Sequence, residues 1–558
     1  MEEKQSLIDR RTMLKRTAAG AALAAESLLS PARSFAQRAG HTVNPRSFGA
    51  KGDGQTKDTA ALQQAIDSCA AAGGGTVLIP AGTYVTGTLV LRGNITFEMQ
   101  AGATILGSTN ADDYTLPPEI AALHGAQGGK HLIFAYRADN LTIRGPGVID
   151  GHSSAFLAMT GRPQPKPEDL WKDVIAFERA RTVRISPMVE LVYCNNLRVE
   201  NVTLQNAAGW TLRPVGCNSV TIEGVKIRNP IDASNSDGID PSCCQDVLIN
   251  NCDIVTGDDA ICVKSYNQYG TNTVCRNVTV TNCKLRTCCN GLKLGNEGPA
   301  AFENIVFKDC EVYSGDVPLN ERVIAGIDIE MSEHAYVDGV TVSNITMSNV
   351  RTPIFVRLQG QNGHNPRPAE GSLRNIHISG IKATGASLTS TITGSPGAMI
   401  EQISLSNIQI STDEPGKEEW AHADVPEKTN GYPGAVMMGR LSSYGLFVRH
   451  VKGLQLQNVA IRSSAHDPRP MLICDDVQAL NMTGVSGSAS SPQEPFMSLN
   501  NVQSAVIHQN TAPAGTAVYA HISGAESHNI RIMGNDLRQA SQPIQVSSEV
   551  PPDAVIRS

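Results

Sequence analysis

The 558-residue chain carries a formal net charge of −7, which gives no general attraction to nucleic acid or to an anionic membrane surface. It has 50 glycines and only 4% aromatic residues, with abundant Asn, Thr, Ile and Val, which favours many short strands joined by tight corners and argues against a helical bundle. A chain of this length forms either several ordinary domains or one elongated repeat domain, and the composition favours the repeat domain.

Residues 1–36 have the features of an export signal rather than of a folded segment. The stretch DRRTMLKR contains the pair Arg10 and Arg11, and it is followed by the apolar run TAAGAALAAESLLS and the small-residue pattern SFA. The apolar run is interrupted by Glu26 and is too short to span a bilayer. We therefore predict a twin-arginine signal, export of the folded protein by the twin-arginine machinery, and a periplasmic or secreted mature chain that is not a membrane protein.

The mature chain begins with a predicted cap, at about residues 42–90. Asp58 is positioned as the N-cap of an amphipathic helix that runs to about Ala72, where glycines end it, and strands follow. A solenoid needs its open end covered, and this helix can cover it.

One 11-residue unit then recurs nine times. Its positions 2 and 4 are apolar, position 6 is Asn, Gly or Asp, and positions 7 and 9 are mostly apolar. Period-two alternation predicts a strand with one buried face, and the phase slip at position 6 predicts a corner at a residue that tolerates the left-handed backbone region. The nine units are NLRVENVTLQN (196–206), SVTIEGVKIRN (219–229), DVLINNCDIVT (246–256), NVTVTNCKLRT (277–287), NIVFKDCEVYS (304–314), GVTVSNITMSN (339–349), NIHISGIKATG (375–385), QISLSNIQIST (402–412) and GLQLQNVAIRS (453–463).

The spacing of these units predicts an all-β fold, a parallel β-helix. Successive units begin 23, 27, 31 and 27 residues apart through the most regular part, with no helix-length crossover between them. We predict one such domain over residues 37–558 and expect a monomer. Longer segments rich in Pro, Gly and charge are predicted to be loops that wall a groove, at 152–185, 315–324, 359–372 and 412–436.

The repeat also predicts structural roles for two sets of polar-looking residues. The asparagines at position 6 are interpreted as a corner ladder rather than as ligands; they are Asn201, Asn251, Asn282, Asn344, Asn407 and Asn458. Cys252, Cys283 and Cys310 occupy position 7, where other units have Val or Ile, so they are predicted to be core side chains rather than metal ligands. The chain has 13 cysteines, an odd number, and any disulfide connectivity stays open.

Acidic residues concentrate in NSDGIDPSCCQDVLINNCDIVTGDDAICVKS, residues 235–265, in which no basic residue precedes Lys264. Aligning this stretch with the next two repeats gives an inward column of Ile239, Ile261, Leu292 and Ile327. Two places earlier lies a second column of Asp237, Asp259, Asn290 and Ala325, with Asp258 beside Asp259. Parallel strands lie about 4.8 Å apart, so the three aspartates Asp237, Asp258 and Asp259 are predicted to be neighbours.

Three neighbouring carboxylates repel one another, which raises the proton affinity of at least one of them. A solvated acidic edge or a calcium site accounts for such a cluster equally well at this point. The arrangement also suits hydrolysis of a glycosidic bond with inversion, in which an acid protonates the departing oxygen and a base activates water on the opposite face of the sugar.

The motifs of this region resemble those of glycoside hydrolase family 28, the polygalacturonase family of pectin lyase-like β-helices. The resemblance is carried by NSDGID, GDDAICVKS and NGLKLGNE, and also by FGAKGDG, GVIDG, GWTLRPVGCNSVTIEGVKIRN and SSYGLFVRHVKGLQLQNV, and it covers nearly the whole mature chain. It implies a right-handed parallel β-helix that hydrolyses α-linked galacturonides in pectin-type polysaccharide with inversion, without a metal or another cofactor. Asp258 would be the general acid, and Asp237 and Asp259 the bases that position water.

Two departures from the family pattern bear on the substrate. Asn290 stands where the family usually has a His, and Asp328 and Glu330 stand where it has the basic residues of an Arg-Ile-Lys strand. Lys293 lies in the column of Asp328, one coil earlier, and Lys264 lies in the column of Glu330, two coils earlier. Either lysine could bind a substrate carboxylate from this displaced position, but we expect both to neutralise the acids, because opposite charges stacked on adjacent strands are the more favourable arrangement. The predicted substrate-binding residues are Asn235, Asn290, Lys264, Lys293, Asp328 and Glu330.

These departures lead to the hypothesis that the subsite served by 325–330 accepts a neutral sugar, such as rhamnose in a rhamnogalacturonan-like chain.

Two other functions stay open from the sequence. A polysaccharide lyase of the same fold would use Lys264 or Lys293 as the base, and a non-catalytic β-helix would only bind carbohydrate.

Overall fold

The computed structural model describes residues 41–123, 129–161, 179–332, 335–359 and 371–557. Within them the chain winds as a right-handed parallel β-helix, because each strand pairs in parallel with the corresponding strand of the next coil. The fold predicted from the repeat is therefore confirmed. The predicted export signal lies outside the described residues. No helix in the described part of the chain is long and apolar enough to cross a membrane.

Three parallel sheets run along the β-helix, and several long strands bend at a corner and continue from one sheet into the next. The first sheet contains Leu89–Leu91, Ile133–Tyr136, Val189–Val192, Leu212–Val215, Ile261–Val263, Asn290–Leu294, Ala325–Met331, Thr352–Leu358, Ser390–Thr393, the beginnings of Leu446–Ser463, Leu472–Thr483 and Pro495–His508, then Val518–Ser523 and Gln542–Val546. The second contains Thr42–Val43, Gly75–Ile79, Ile95–Met99, Thr142–Arg144, Asn195–Glu200, Asn218–Glu223, Gln245–Asn250, Cys275–Thr281, Phe302–Lys308, Tyr336–Ser348, Ser372–Ala386, Ile400–Thr412, His528–Met533 and Val555–Arg557. The third contains Asp53–Lys57, Gly82–Thr86, Ala103–Gly107, Val148–Asp150, Thr203–Gln205, Lys226–Arg228, Asp253–Val255, Lys284–Arg286, Glu311–Tyr313 and Ser486–Gly487.

One antiparallel pair, Leu157–Met159 with Arg179–Arg181, stands apart from these sheets. The described helices are short apart from the first, and they are Thr59–Ala71, Pro118–Ala121 and Glu418–Ala421. Turns of 3₁₀ helix lie at Pro45–Phe48, Ala111–Asp113, Ser153–Ala155 and Leu319–Glu321.

The helix Thr59–Ala71 is the predicted N-terminal cap, and it buries Leu62, Ile66 and Cys69 against the first coils. Asp58 is its N-cap residue, as expected, but its carboxylate makes no hydrogen bond to the helix. Instead the two oxygens accept the backbone N–H groups of Lys51 at 2.7 Å and Gly52 at 2.9 Å. The side chain therefore ties the preceding loop to the helix start, a role that helix propensity alone does not indicate.

The corners follow the prediction closely. Each of the six position-6 asparagines has a positive φ, between 52° and 55°, which is the left-handed region that the phase slip requires. Their side chains form ladder contacts with position-6 residues of the preceding coil; for example, Asn344 Nδ2 donates to Asp309 Oδ1 at 3.1 Å and Asn458 Nδ2 donates to Asn407 Oδ1 at 3.2 Å. These residues hold the bends between sheets.

The interior between the sheets is one continuous apolar core that extends from the cap to the last coils. Cys252, Cys283 and Cys310 stack inside it, as predicted. All 13 cysteines are buried free thiols. The fold is therefore held together by its core and strand ladders, without a disulfide between any two of these residues.

Candidate active site

Neighbouring coils of the first sheet bring the predicted acids together. Ile239 pairs with Ile261, Ile261 with Leu292, and Leu292 with Ile327, which is the predicted inward column. All four side chains are fully buried in the core. Because these four residues share one register, the residues two places before them in sequence also lie above one another, at one edge of the sheet.

The second column is also as predicted. The Asp259 carbonyl accepts the Gly238 N–H at 2.9 Å, the Asn290 carbonyl accepts the Ala260 N–H at 2.8 Å, and Asn290 pairs with Ala325. Asp237, Asp259, Asn290 and Ala325 therefore follow one another coil by coil, and the sequence separation of 22 residues between the two aspartates is closed by a single turn of the β-helix.

Asp258 lies at the groove surface and is only partly buried. Its carboxylate accepts two backbone N–H groups, that of Asn235 at 2.8 Å and that of Asp259 at 2.9 Å, and these bonds fix its orientation. Burial and then the negative charge of Asp259 raise its pKa, and they outweigh the two hydrogen bonds. A partly exposed carboxyl with a raised pKa is suited to hold a proton and donate it.

Asp259 differs from Asp258 because cations surround it. Lys293 Nζ lies 3.1 Å from Asp259 Oδ2, and Asn290 Nδ2 donates to Asp259 Oδ1 at 2.8 Å. Burial alone would raise the pKa of this carboxyl, but the charges of Lys293 and Lys264 outweigh burial and lower it. Asp259 is therefore the carboxylate of the cluster that stays ionised.

Asp237 is 3% exposed, and Lys264 Nζ lies 3.7 Å from its Oδ2. Burial, followed by the charges of Asp240 and Asp258, raises its pKa well above the ordinary range. The neighbouring Asp240 is fully buried, and burial raises its pKa to about 7. Acidic side chains with opposite shifts thus lie side by side, which is typical of sites that perform acid–base chemistry.

The two lysines are buried and engaged in ion pairs. Lys264 Nζ lies 2.8 Å from Glu297 Oε2 and 4.8 Å from the centroid of the Trp210 ring. Lys293 bridges Asp259 and Glu330, with Nζ 3.0 Å from Glu330 Oε1. Burial would lower the pKa of Lys293, but these two carboxylates outweigh burial and raise it well above its usual value. Lys293 is therefore a permanent cation.

The strand Ala325–Met331 places Asp328 and Glu330 side by side, and both side chains are fully buried. Lys293 is the register partner of Asp328, as predicted, but its ammonium pairs with Glu330. In the described part of the chain no N–H or hydroxyl donor reaches either oxygen of Asp328, and its carboxyl adjoins that of Glu330. Burial and the charge of Glu330 raise the pKa of Asp328 well above the ordinary range, and burial raises that of Glu330 to about 7.

The lysines therefore neutralise acids, but not the acids that we expected. Lys293 reaches diagonally to Glu330, because a long side chain leans along the strand, and Lys264 pairs with Glu297 instead of Glu330. The full burial of Asp328 also means that this side chain has no exposed surface on which a sugar could lie.

The two predicted asparagines have different positions. Asn290 is 6% exposed and braces Asp259, while its Oδ1 has no hydrogen-bond partner in the described chain. Asn235 is exposed, and Arg181 donates to its Oδ1 at 3.1 Å. Asn290 is thus a support for Asp259, and Asn235 lies on the open side of the site.

Tyr432 is the main site residue that the sequence did not indicate. It is 54% exposed, and its hydroxyl lies 3.2 Å from Lys293 Nζ although 139 residues separate the two in sequence. Gln359 Nε2 donates to the Gly431 carbonyl at 2.6 Å, and Arg357 donates to the Lys428 carbonyl at 2.9 Å. The segment 412–436, predicted as a groove wall, therefore delivers an aromatic side chain to the site.

Cys289 is a second residue that the sequence did not indicate. One oxygen of Asp258, one of Asp259 and the Cys289 Sγ lie within 4.8 Å of one another, which is a set of donors that a metal ion could use. Lys293 already supplies a positive charge to Asp259, and burial followed by the charges of Asp259 and Asp258 raises the pKa of the thiol well above its usual value. The donor set thus favours a protonated thiol beside the acids.

A protein-family model with the description glycosyl hydrolases family 28 matches residues 69–430, which is nearly two thirds of the chain and includes Asp237, Asp258 and Asp259. The chain belongs to glycosyl hydrolase family 28. This membership decides among the functions left open by the sequence: the protein is a glycosidase, not a lyase or a purely carbohydrate-binding β-helix. The charged state of Lys293 agrees, because an ammonium group cannot abstract a proton.

Relatives of this family-28 chain include a probable polygalacturonase of Vitis vinifera, 25% identical over 413 residues that cover 70% of this chain and 79% of the relative. An endo-polygalacturonase of Pectobacterium carotovorum subsp. carotovorum is 26% identical over 313 residues, 55% of this chain and 73% of that protein. An exopolygalacturonase of Thermotoga maritima shares the fold, with a TM-score of 0.53 and 20% identity over 75% of this chain and 91% of that one.

Proposed function

We propose that this family-28 glycosidase hydrolyses glycosidic bonds in galacturonate-containing pectin chains, with inversion at the anomeric carbon. The proposal is carried by one observation: a partly exposed carboxyl with a raised pKa, Asp258, adjoins a carboxylate that two ammonium groups keep ionised, Asp259. The curated relatives named polygalacturonase support the substrate class.

In this proposal Asp258 is the general acid. Its two backbone hydrogen bonds, from Asn235 and Asp259, orient the carboxyl, and its partial exposure gives it access to the oxygen of the departing sugar. Loss of the proton to that oxygen turns Asp258 into a carboxylate, which the same two N–H groups then stabilise.

Asp259 is the base that activates water, and Asp237 assists it. One oxygen each of Asp258 and Asp259 lies within 4.8 Å of the other, which is shorter than the roughly 6.5–9.5 Å typical of an inverting pair. Inversion therefore requires the water to be held on the Asp237 side of Asp259, on the face of the sugar opposite Asp258. Asp237, whose pKa is raised by burial and neighbouring acids, keeps its proton, so its part is to orient the water by hydrogen bonding while Asp259 acts as the base.

The subsite beyond the acids is proposed to accept a neutral sugar. The carboxyls of Asp328 and Glu330 are buried, and Lys293, the cation nearest to them, is 2% exposed and satisfied by Asp259 and Glu330. The exposed group here is the ring of Tyr432, which offers a flat surface to a pyranose and no charge to a carboxylate. A rhamnogalacturonan-like chain, in which uronate and neutral sugars alternate, fits such a subsite.

We further propose that the protein works outside the cytoplasm, after export by the twin-arginine machinery. The support is the Arg10–Arg11 pair ahead of a short apolar run in the sequence.

The function is tested by measuring new reducing ends released from a panel of defined pectic fragments, namely galacturonan oligomers and rhamnogalacturonan oligomers. We expect release from at least one fragment by the wild-type protein and none by Asp258→Asn. Release of products that absorb in the ultraviolet, which elimination generates, or absence of cleavage across the whole panel would contradict the proposal.

A further inference from the structure

A second pocket lies on the same protein, away from the acids. It has a volume of about 490 Å³, and its walls include Tyr136, Arg137, Tyr193, Asn195 and Tyr269. This tyrosine pocket has no part in the chemistry described above.

The tyrosine pocket lies at the corner that follows the first sheet. Tyr193 begins that corner, since its N–H donates to the Val215 carbonyl, and the equivalent N–H of Gly216 donates to Ser242 on the next coil. Asp237 lies on that same coil, six residues before its corner. Strand spacing and rise place Tyr193 roughly 20 Å from Asp237. The tyrosine pocket is thus separate from the catalytic groove.

The aromatic walls are held rigidly. The rings of Tyr136 and Tyr193 meet edge to face, with centroids 5.9 Å apart. The Tyr193 hydroxyl accepts a hydrogen bond from Asn267 Nδ2 at 2.9 Å, and the Tyr269 hydroxyl donates to Glu190 Oε2 at 2.6 Å. Both hydroxyls therefore point into the protein, and the rings are left to form the walls.

A buried polar cluster stands behind Tyr269 and fixes it. Glu190 is fully buried, accepts from Arg213 Nη1 at 3.0 Å, and lies 3.0 Å from His131 Nε2. Moving Tyr269 would break its hydrogen bond to the buried Glu190, and an unpaired buried charge costs free energy. The cluster therefore holds the tyrosine in one position. The wall of the pocket is thus preorganised.

Arg137 is the positively charged group that the tyrosine pocket presents to solvent, and Asp139 is the acidic residue of the lining. It is exposed, its guanidinium lies 5.3 Å from the centroid of the Tyr136 ring, and it makes no ion pair with another residue of the described chain. One oxygen of the neighbouring Asp139 carboxylate is occupied, because the backbone N–H and Nδ2 of Asn195 both donate to its Oδ1 at 2.9 Å. A stacked guanidinium with free N–H groups is a fork suited to a carboxylate.

We propose that the tyrosine pocket binds one uronate residue of an anionic polysaccharide chain and so holds the enzyme on the polymer outside the catalytic groove. The C–H face of the sugar lies on the tyrosine rings, and its carboxylate accepts two hydrogen bonds from Arg137. The identity of the polymer rests on the proposed function. A net charge of −7 repels such a chain elsewhere on the surface, so a local cation is needed to hold it.

The test is native gel electrophoresis through polygalacturonate, with all proteins carrying Asp258→Asn so that the polymer is not cut. We expect retardation of the parent protein and about tenfold weaker binding for Arg137→Asn, the effect of losing a charged hydrogen-bond pair. Asn tolerates the left-handed backbone at this position, where φ is 52°. Tyr136→Leu should weaken binding as well, and Arg531→Asn, an exposed arginine near the other end of the β-helix, should not.

Two further measurements separate this inference from the catalytic one. On fully methyl-esterified pectin the parent protein should lose its retardation, because no carboxylate is left for Arg137. Without Asp258→Asn, the Arg137→Asn protein should cleave short oligosaccharides at the wild-type rate and polymer more slowly. Unchanged retardation of Arg137→Asn, or no retardation of the parent protein, overturns the pocket assignment whether or not the enzyme cleaves pectin.

Discussion

The Lys293 ammonium lies 3.1 Å from Asp259 Oδ2, inside the catalytic cluster rather than in the groove. The same nitrogen lies 3.0 Å from Glu330 on the next coil. One buried cation therefore sets the charge of Asp259, the proposed base, and also pairs with an acid at a position where the family pattern has a basic residue. Catalysis and subsite charge are coupled through this side chain.

Replacing Lys293 should move the pH profile. Lys293 lowers the pKa of Asp259 and also opposes the rise in the pKa of Asp258. In Lys293→Met both pKa values rise, so the acidic limb, where the base becomes protonated, and the basic limb, where the acid loses its proton, both move to higher pH. In a plot of kcat/KM against pH, we expect each limb to move by about one pH unit or more.

Lys293→Arg is the matched control, since it keeps the positive charge, and it should leave the limbs near their wild-type positions. Thermal unfolding of each variant shows whether the protein is folded, because Lys293→Met leaves Glu330 buried without its partner. A folded Lys293→Met with an unmoved acidic limb would contradict the assignment of Asp259 as the base.

Asp258→Asn should abolish most turnover without unfolding the protein. The amide keeps the size of the side chain and cannot donate the proton that the leaving oxygen requires, so the rate should fall by about 100- to 10,000-fold. The fall is measured on whichever pectic fragment the wild-type protein cleaves. Near wild-type rates for this variant would remove Asp258 from the role of acid.

The strand columns and corners of this fold could be predicted because they depend on local periodicity. The inward column from Ile239 to Ile327 and the left-handed asparagines such as Asn282 follow from alternation and from a phase slip that is visible in the sequence. Both the core column and the column from Asp237 to Ala325 could therefore be predicted from the sequence, and so could the neighbouring positions of Asp237 and Asp259 on adjacent coils.

The parts that could not be predicted depend on side-chain direction and on insertions. Register places Lys293 beside Asp328, but the rotamer that carries its ammonium to Glu330 is set by packing and charge around it. Tyr432 reaches Lys293 across 139 residues, on a segment without the repeat pattern, and its position depends on anchors such as Gln359. No periodic signal marks such a contact.

The stereochemistry of cleavage tests where the water is held. If Asp237 and Asp259 deliver water from the face opposite Asp258, the newly formed reducing end has the anomeric configuration opposite to that of the broken bond. Proton NMR in the first minutes of reaction, before mutarotation, detects this. Initial retention would point instead to direct attack by a carboxylate, for which the close spacing of Asp258 and Asp259 is suited.

Export should depend on the arginine pair. The double variant Arg10→Lys with Arg11→Lys should leave the precursor in the cytoplasm, because the twin-arginine machinery recognises both guanidinium groups. The measurement is the distribution of the protein between cytoplasmic and periplasmic fractions in a bacterial host with this pathway. Arg16→Lys, a conservative change in the same segment, serves as the control and should be exported. Normal periplasmic accumulation of the double variant would count against the signal.

Substrate choice gives the last prediction, and it depends on Tyr432. Asp328 and Glu330 are fully buried and Lys293 is satisfied, so the surface offered to the sugar beyond the acids is an uncharged ring. Unbranched polygalacturonate should then be cleaved more slowly than a chain with a neutral sugar at this subsite. Tyr432→Arg places a guanidinium at this exposed position, beside the Lys293 ammonium that the Tyr432 hydroxyl contacts at 3.2 Å, and it should raise kcat/KM on polygalacturonate by about tenfold through a paired hydrogen bond to the carboxylate. Tyr432→Phe keeps the ring and should keep the wild-type preference. Faster cleavage of polygalacturonate than of rhamnogalacturonan fragments by the wild-type protein, with no gain in Tyr432→Arg, would show that this subsite already binds a carboxylate.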